Sequence, residues 1–289
     1  MQLFTSEKAL GAAGLLSSFL NPHYTYKFLV EAFAQGFDPS YDFLKQKNIF
    51  LVTSTGRTGT LWLNNLLGSV KGVLAAHEPV PFEQIAQLNA LLDESVALEY
   101  LTSFRVREIA LRCKNREFDT YGEVNGALRR HVPALRQLFP QMKFVHIVRN
   151  ARTFIESVMQ RNTFTESDKI NEIIDPPVGY FTKSEWSEMS RFEKICWVWK
   201  CENEFLSNYC DKTLRFEDIT TSYSHFKEEL SDYLSVDICR DDWEAVSGKR
   251  VNQSSAMKIS RDEIWTEENE VVYELYCSDL MAQLGYGLF

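Results

Sequence analysis

The sequence is short of positive charge. Lysine and arginine total 31 against 40 aspartates and glutamates in 289 residues, a formal net charge of −9. Binders of nucleic acid or anionic membranes usually carry a basic surface, so neither is expected as a partner. An anionic ligand would have to be met by cations gathered at one place. Long apolar runs are missing too: nothing approaches the roughly 18 uninterrupted apolar residues of a membrane helix. Residues 9–20, ALGAAGLLSSFL, follow the lone basic Lys8 and run into NPHYTY without a small-residue cleavage site. They read as an amphipathic helix, not a signal peptide.

The six cysteines, Cys113, Cys196, Cys201, Cys210, Cys239 and Cys277, form no CxxC pair and show no zinc spacing with a histidine. They are expected to be buried free thiols in a reducing compartment, which places the protein in the cytoplasm. No repeat, low-complexity tract or Pro/Gly/Ser linker divides the chain. Residues 1–289 therefore read as one domain, an N-terminal helical segment (1–47) followed by an α/β core (48–289).

What is present is alternation. NIFLVTS (48–54) is an apolar, β-prone run suited to a buried parallel strand. Further strands are expected at 72–76, 121–124, 143–148 and 212–216. Helices are expected at 82–112, 130–139, 151–161, 187–209, 223–234 and 267–284. In the 187–209 helix, Phe192, Ile195, Cys196 and Trp199 share one face and should pack in the core. The fold class is α/β, a three-layer sandwich around a mostly parallel sheet. Residues 162–185 carry little periodicity and read as a long functional loop, a lid or substrate wall.

Two segments carry chemistry. The first strand runs into Ser54-Thr55-Gly56-Arg57-Thr58-Gly59-Thr60, and Leu61, Trp62, Leu63, Leu66 and Leu67 continue at helical spacing. Glycines let backbone N–H groups close round an anion, and the helix N-terminus adds its dipole. Thr58 and Thr60 add hydroxyls and Arg57 a fixed charge. The loop is not a Walker A motif: Gly56 and Gly59 are too close, no lysine follows, and Leu61 stands near the place of a magnesium-holding hydroxyl. In the second segment, KFVHIV ends in Arg149 at the carboxyl end of a strand, where open parallel sheets bind ligands. Thr153, Ser157 and Arg161 follow at four-residue spacing on one helix face. Two arginines with a hydroxyl between them suit a phosphate monoester.

Together these segments resemble the PAPS-dependent sulfotransferase family, whose P-loop-like fold carries enzymes that use 3′-phosphoadenosine 5′-phosphosulfate (PAPS) and release 3′,5′-ADP (PAP). TSTGRTGTLWL resembles the family's 5′-phosphosulfate loop, and FVHIVRNARTFIESVMQR its 3′-phosphate motif. The resemblance implies that Gly56, Arg57, Thr58, Gly59, Thr60 and Leu61 meet the phosphosulfate and that Arg149, Ser157 and Arg161 meet the 3′-phosphate. The Arg161 match is to the tyrosylprotein-sulfotransferase branch. LRFEDI (214–219) resembles a strand whose aromatic ring borders the adenine, here Phe216, and LGY (284–286) resembles the end of bacterial members. Two departures stand out. GEVNGA puts Asn125 near the position of the phenol and steroid enzymes' catalytic histidine. The C-terminal phosphate loop is replaced by SGKRVNQSSAMKIS, with Lys249, Arg250 and Lys258 as substitutes.

Sulfuryl transfer is an in-line displacement in which positioning and charge neutralisation dominate. Arg57 would stabilise charge on the departing phosphate oxygen, and some residue must take the acceptor's proton. Glu78, in AAHEPVP, lies 21 residues after Arg57, a spacing that resembles the catalytic glutamate of the tyrosylprotein branch. His77 is the competitor, with the more convenient unperturbed pKa. Neighbours in a strand point opposite ways, so only one of the two should face the donor. Glu123 is the third candidate, and His146 reads as a core or cleft-wall residue. The expected reaction is metal-independent sulfation of a small-molecule hydroxyl or amine, a small metabolite of the kind made in secondary metabolism. A P-loop small-molecule or nucleotide kinase and a non-catalytic adenine-nucleotide-binding module are the alternatives. The sequence leaves the oligomeric state open.

Overall fold

NIFLVT forms β1 (Asn48–Thr53), buried from Ile49 onward. Ile49 and Leu51 join one hydrophobic cluster and Phe50 and Val52 another, so helices cover both sides of the strand. The structure, a computed structural model, describes Lys27 and residues 41–168, 170, 180–247 and 257–287. The helices expected before residue 41, the substitutes Lys249 and Arg250, and most of 169–179 in the expected long loop lie outside the described residues.

Four more strands follow: β2 (Val73–His77), β3 (Thr120–Val124), β4 (Lys143–Val148) and β5 (Lys212–Arg215). All pair in parallel in the order β2-β3-β1-β4-β5. The chain moves to one side of β1 for β2 and β3, then crosses to the other for β4 and β5. That reversal opens a crevice at the carboxyl end of β1, the usual ligand position in an open parallel sheet. β3 and β4 flank it, with Val52 opposite both Val124 and Val145.

Helix α1 (Thr60–Gly68) starts directly after the glycine loop and buries Trp62, Leu63, Leu66 and Leu67. The expected helix over 82–112 is instead α2 (Gln84–Leu92), α3 (Ser95–Tyr100), a π-turn (Leu101–Arg105) and α4 (Val106–Cys113). Asp93 makes the first break, its carboxylate accepting from both the backbone N–H and the hydroxyl of Ser95. In place of one helix at 130–139, a 3₁₀ turn (Gly126–His131) precedes α5 (Val132–Leu138). Helix α6 (Ala151–Met159) follows β4 and is capped by Asn150.

The expected 187–209 helix is two, α7 (Lys183–Glu188) and α8 (Arg191–Tyr209), parted where Ser190 caps α8. Phe192, Ile195, Cys196 and Trp199 form its core face as the spacing required. Helix α9 (Phe216–Thr221) begins at the end of β5, and α10 (Glu267–Gln283) packs along α8.

Arg105 is fully buried and ends the π-turn. Its guanidinium meets Glu83 and Glu123, each at 2.6 Å, and also Glu108. Burial opposes its charge, but Glu123, Glu83 and Glu108 outweigh burial and hold it protonated. Tyr100 donates to Glu83, and Asn125 to both Glu83 and Glu123. Buried ion pairs persist when every partner is satisfied, and this network ties α2, α4 and β3 together.

Candidate active site

The loop between β1 and α1 is held in shape by its own side chains. Ser54 Oγ accepts from the Gly56 N–H at 3.0 Å and from the Thr58 hydroxyl at 2.7 Å. Gly56, Arg57 and Gly59 have positive φ of 87°, 59° and 66°. An arginine in that region is strained, and such strain clusters where a ligand is held. Thr58 is buried with its hydroxyl turned into the loop, which leaves only its backbone to meet a ligand. Thr60 and Leu61 open α1, where N–H groups lack intrahelical partners; the first helical bond is Leu63 N–H to Gly59 O. Gly59 cannot be replaced freely, because a Cβ there would stand 2.7 Å from the Phe216 ring.

Arg149 leaves the end of β4 and crosses to this loop. Its Nε donates to Thr153 Oγ1 at 2.9 Å, its Nη1 donates to Arg57 O at 2.8 Å, and its guanidinium stands 5.7 Å from the Phe216 ring centre. Arg57 in turn donates from Nε to Ser157 Oγ at 2.8 Å. The two sequence motifs, about a hundred residues apart, therefore interlock. Arg57 is pulled below the usual guanidinium pKa first by burial, then by the charges of Arg161 and Arg149. Three guanidiniums thus bring like charge into one half-buried crevice.

LRFEDI and LGY meet behind it. Glu217 accepts from the Asn150 N–H at 3.1 Å and from the Tyr286 hydroxyl at 2.8 Å, which fixes the turn carrying Arg149. Lys258 is exposed, on a segment whose neighbours Met257 and Ile259 bond Gln160, the residue before Arg161.

A cavity of about 600 Å³ opens from the loop. Gly56, Arg57, Glu78 and Arg161 line one part of it, and Trp186 and Trp197 another. The described part of the expected long loop contributes Asn162, Thr163, Phe164, Ser167, Asp168 and Ile170 to the wall. β2 ends at His77, and Glu78 has φ 40°. The strand alternation that should have left only one of the two facing the donor loop thus breaks between them. His77 Nε2 lies 3.0 Å from Thr60 Oγ1, while Glu78 enters the cavity. Gly126, after β3, approaches the same place: a Cβ on it would lie 3.0 Å from Ser54 O and 3.6 Å from Glu78 Oε1.

Glu123 does not fit the role of base. It is buried, held by Arg105, Tyr121 and Asn125, and does not line the cavity, because strand β3 turns it into the ion network. Asn125 caps the Gly126–His131 turn and braces Glu83. His146 is a core residue against Asn203 and Thr213, and burial lowers its pKa to about 4. Gly126 and Arg129 line the cavity without any signal in the sequence that marks them as site residues. They arrive through the pairing of β1 with β3.

No protein-family model matches the chain, and no curated protein matches it. Among solved structures it is similar to sulfotransferases of bacterial and mammalian origin. One from Alicyclobacillus acidocaldarius has 13% identity and a TM-score of 0.48, covering 84% of this chain and 97% of that one. One from Mycobacterium tuberculosis has 13% identity and a TM-score of 0.46, covering 94% and 92%. A mouse sulfotransferase complexed with PAP has 13% identity and a TM-score of 0.47, covering 89% and 91%. These are likenesses of fold, and no residue's role follows from them. Among the described residues no helix is long and apolar enough to cross a membrane, and no group of three metal-ligating side chains is poised to hold an ion.

Proposed function

We propose that the protein transfers a sulfuryl group from PAPS to a hydroxyl or amine of a small molecule. The observation that carries this reading is the meeting of Arg57, Arg149, Arg161 and Ser157 around the loop at the end of β1. Two anionic groups of one nucleotide suit this arrangement: a 5′-phosphosulfate on the loop and a 3′-phosphate at Arg149, Ser157 and Arg161. Phe216, packed on Gly59 and beside Arg149, offers its ring to the adenine. Lys258 supplies a further cation near the end of α6.

In the step itself, the acceptor oxygen or nitrogen forms its bond to sulfur as the bond from sulfur to the bridging phosphate oxygen breaks. The electron pair stays on that oxygen, and PAP leaves. Arg57 and the amides of Thr60 and Leu61 stabilise the charge that grows there. Glu78, in the cavity beside the loop, takes the acceptor's proton. His77, already bonded to the Thr60 hydroxyl, orients the start of α1.

The kinase alternative is weakened by the same geometry, since Thr58 turns its hydroxyl into the loop and Thr60 faces His77. The test is incubation of the full chain with radiolabelled PAPS and a panel of phenols, alcohols and amines, with and without EDTA. Labelled product that persists in EDTA is expected. Phosphate transfer from ATP, with none from PAPS, would reject the reading.

A further inference from the structure

The cavity is lined by a third arginine besides Arg57 and Arg161, and its partners do not use it up. Arg129 reaches into it from the 3₁₀ turn after β3. Its Nη1 donates to Gly126 O at 2.8 Å, and its Nε stands 3.1 Å from Glu202 Oε2 without hydrogen-bond alignment. No described residue bonds its Nη2. Glu202 is also held by Arg130, 2.9 Å from the same oxygen, and by the Gln87 amide at 3.0 Å on the other. One buried carboxylate thus faces two guanidiniums. Arg130 is committed elsewhere as well, to Cys201 Sγ and the Phe205 ring, so the surplus positive charge falls to Arg129 at the cavity wall.

Arg129 and Glu78 share a neighbour. Gly126 binds the arginine through its carbonyl, and a Cβ added to it would lie 3.6 Å from Glu78 Oε1. Among the described residues no ion pair joins the two charged groups, although both border Gly126. The rest of the wall is largely apolar, with Leu88, Leu91, Phe164, Trp186 and Trp197. A guanidinium pinned at two points has already lost its rotamer freedom, which lets it hold an anion at little further entropic cost.

Resting on the sulfotransferase reading, we infer that Arg129 anchors a carboxylate of the acceptor. The acceptor is then an apolar or aromatic alcohol, phenol or amine that carries an acid a few atoms from its nucleophile. The nucleophile meets Glu78, the acid meets Arg129 Nη2, and the apolar body lies against the two tryptophans.

The test compares acids with their methyl esters, using 4-hydroxybenzoate and 3-(4-hydroxyphenyl)propanoate as probes of two spans. Binding is measured by calorimetry on the full chain, free and saturated with PAP. At least one acid is expected to bind about tenfold or more tightly than its ester. Arg129→Gln should erase that difference, and Arg129→Lys, which keeps a charge for Glu202, should retain only part of it. Esters that bind as well as both acids would overturn the proposal, as would a preference that survives Arg129→Gln. Should Arg129→Gln not fold, an unreduced preference in Arg129→Lys overturns it equally. Failure of PAP to bind would remove the sulfotransferase reading and leave the acid–ester difference standing by itself.

Discussion

Arg105 and Arg57 are both withdrawn from water, and their surroundings are opposite. Arg105 is ringed by Glu83, Glu108 and Glu123, and every partner is protein. Arg57 faces Arg161 and Arg149, bonds a neutral serine, and sits in strained backbone on a cavity. The first arrangement is closed and structural. The second gathers like charges on a cavity wall, the arrangement from which the proposed nucleotide site is read. Residue type alone does not separate the two; the sign of the charges around each arginine does.

The largest expected difference between them is in stability. Arg105→Met strands three carboxylates in the core and should cost about 3–5 kcal/mol, read as a lower midpoint in urea or as insoluble protein. Arg57→Ala should change stability by less than about 1 kcal/mol in the same measurement while abolishing PAP binding. An Arg105→Met protein of unaltered stability would break the comparison at its structural end.

Next comes chemistry. Glu78→Gln keeps size and removes basicity, so kcat should fall by about 10²–10⁴-fold with PAP affinity nearly unchanged. His77→Asn should lose less than about tenfold, because it disturbs only the Thr60 contact. A dead His77→Asn enzyme beside an active Glu78→Gln enzyme would exchange the two roles.

A smaller effect is titration of the fold. Burial lowers the pKa of His131 to about 3, helped by the charges of Arg105 and Arg129, and that of His146 to about 4. Both are neutral in the folded state, whereas unfolded histidine binds a proton below about pH 6.5. Their contribution to stability is therefore complete above that pH and is lost progressively as pH falls toward 4 and then 3. Urea midpoints between pH 7 and 4 should fall, and His146→Asn should flatten part of the slope. A midpoint unchanged over that range would contradict the buried neutral histidines.

Gly59→Ala is expected to cost roughly 1–3 kcal/mol through its left-handed backbone and the displaced Phe216 ring. It should weaken PAP more than it weakens the fold. Equal losses would mean that the ring serves packing alone.

The strands were legible because each is a short apolar run before or after a turn, and β4 matches its expected bounds at 143–148. Helix ends were less so. Asp93 breaks one helix and Ser190 starts another through side-chain bonds to backbone that hydrophobic spacing does not register. At the site, the motif residues were readable because each lies within one strand–turn–helix unit. Gly126 and Arg129 were not, since only the pairing of β1 with β3 brings them to the loop. Glu123 looked like a base candidate until the fold surrounded it with Arg105, Tyr121 and Asn125.

In the proposed function the arginine cluster takes two phosphates of one nucleotide. Calorimetric titration of PAP and of 5′-AMP into the wild type and Arg149→Ala tests it most directly. Arg149→Ala is expected to weaken PAP by about 2–4 kcal/mol, since it removes a charge-assisted contact in a cleft. It should scarcely affect 5′-AMP, which lacks the 3′-phosphate. Equal losses for both ligands, or no binding of PAP to the wild type, would contradict it.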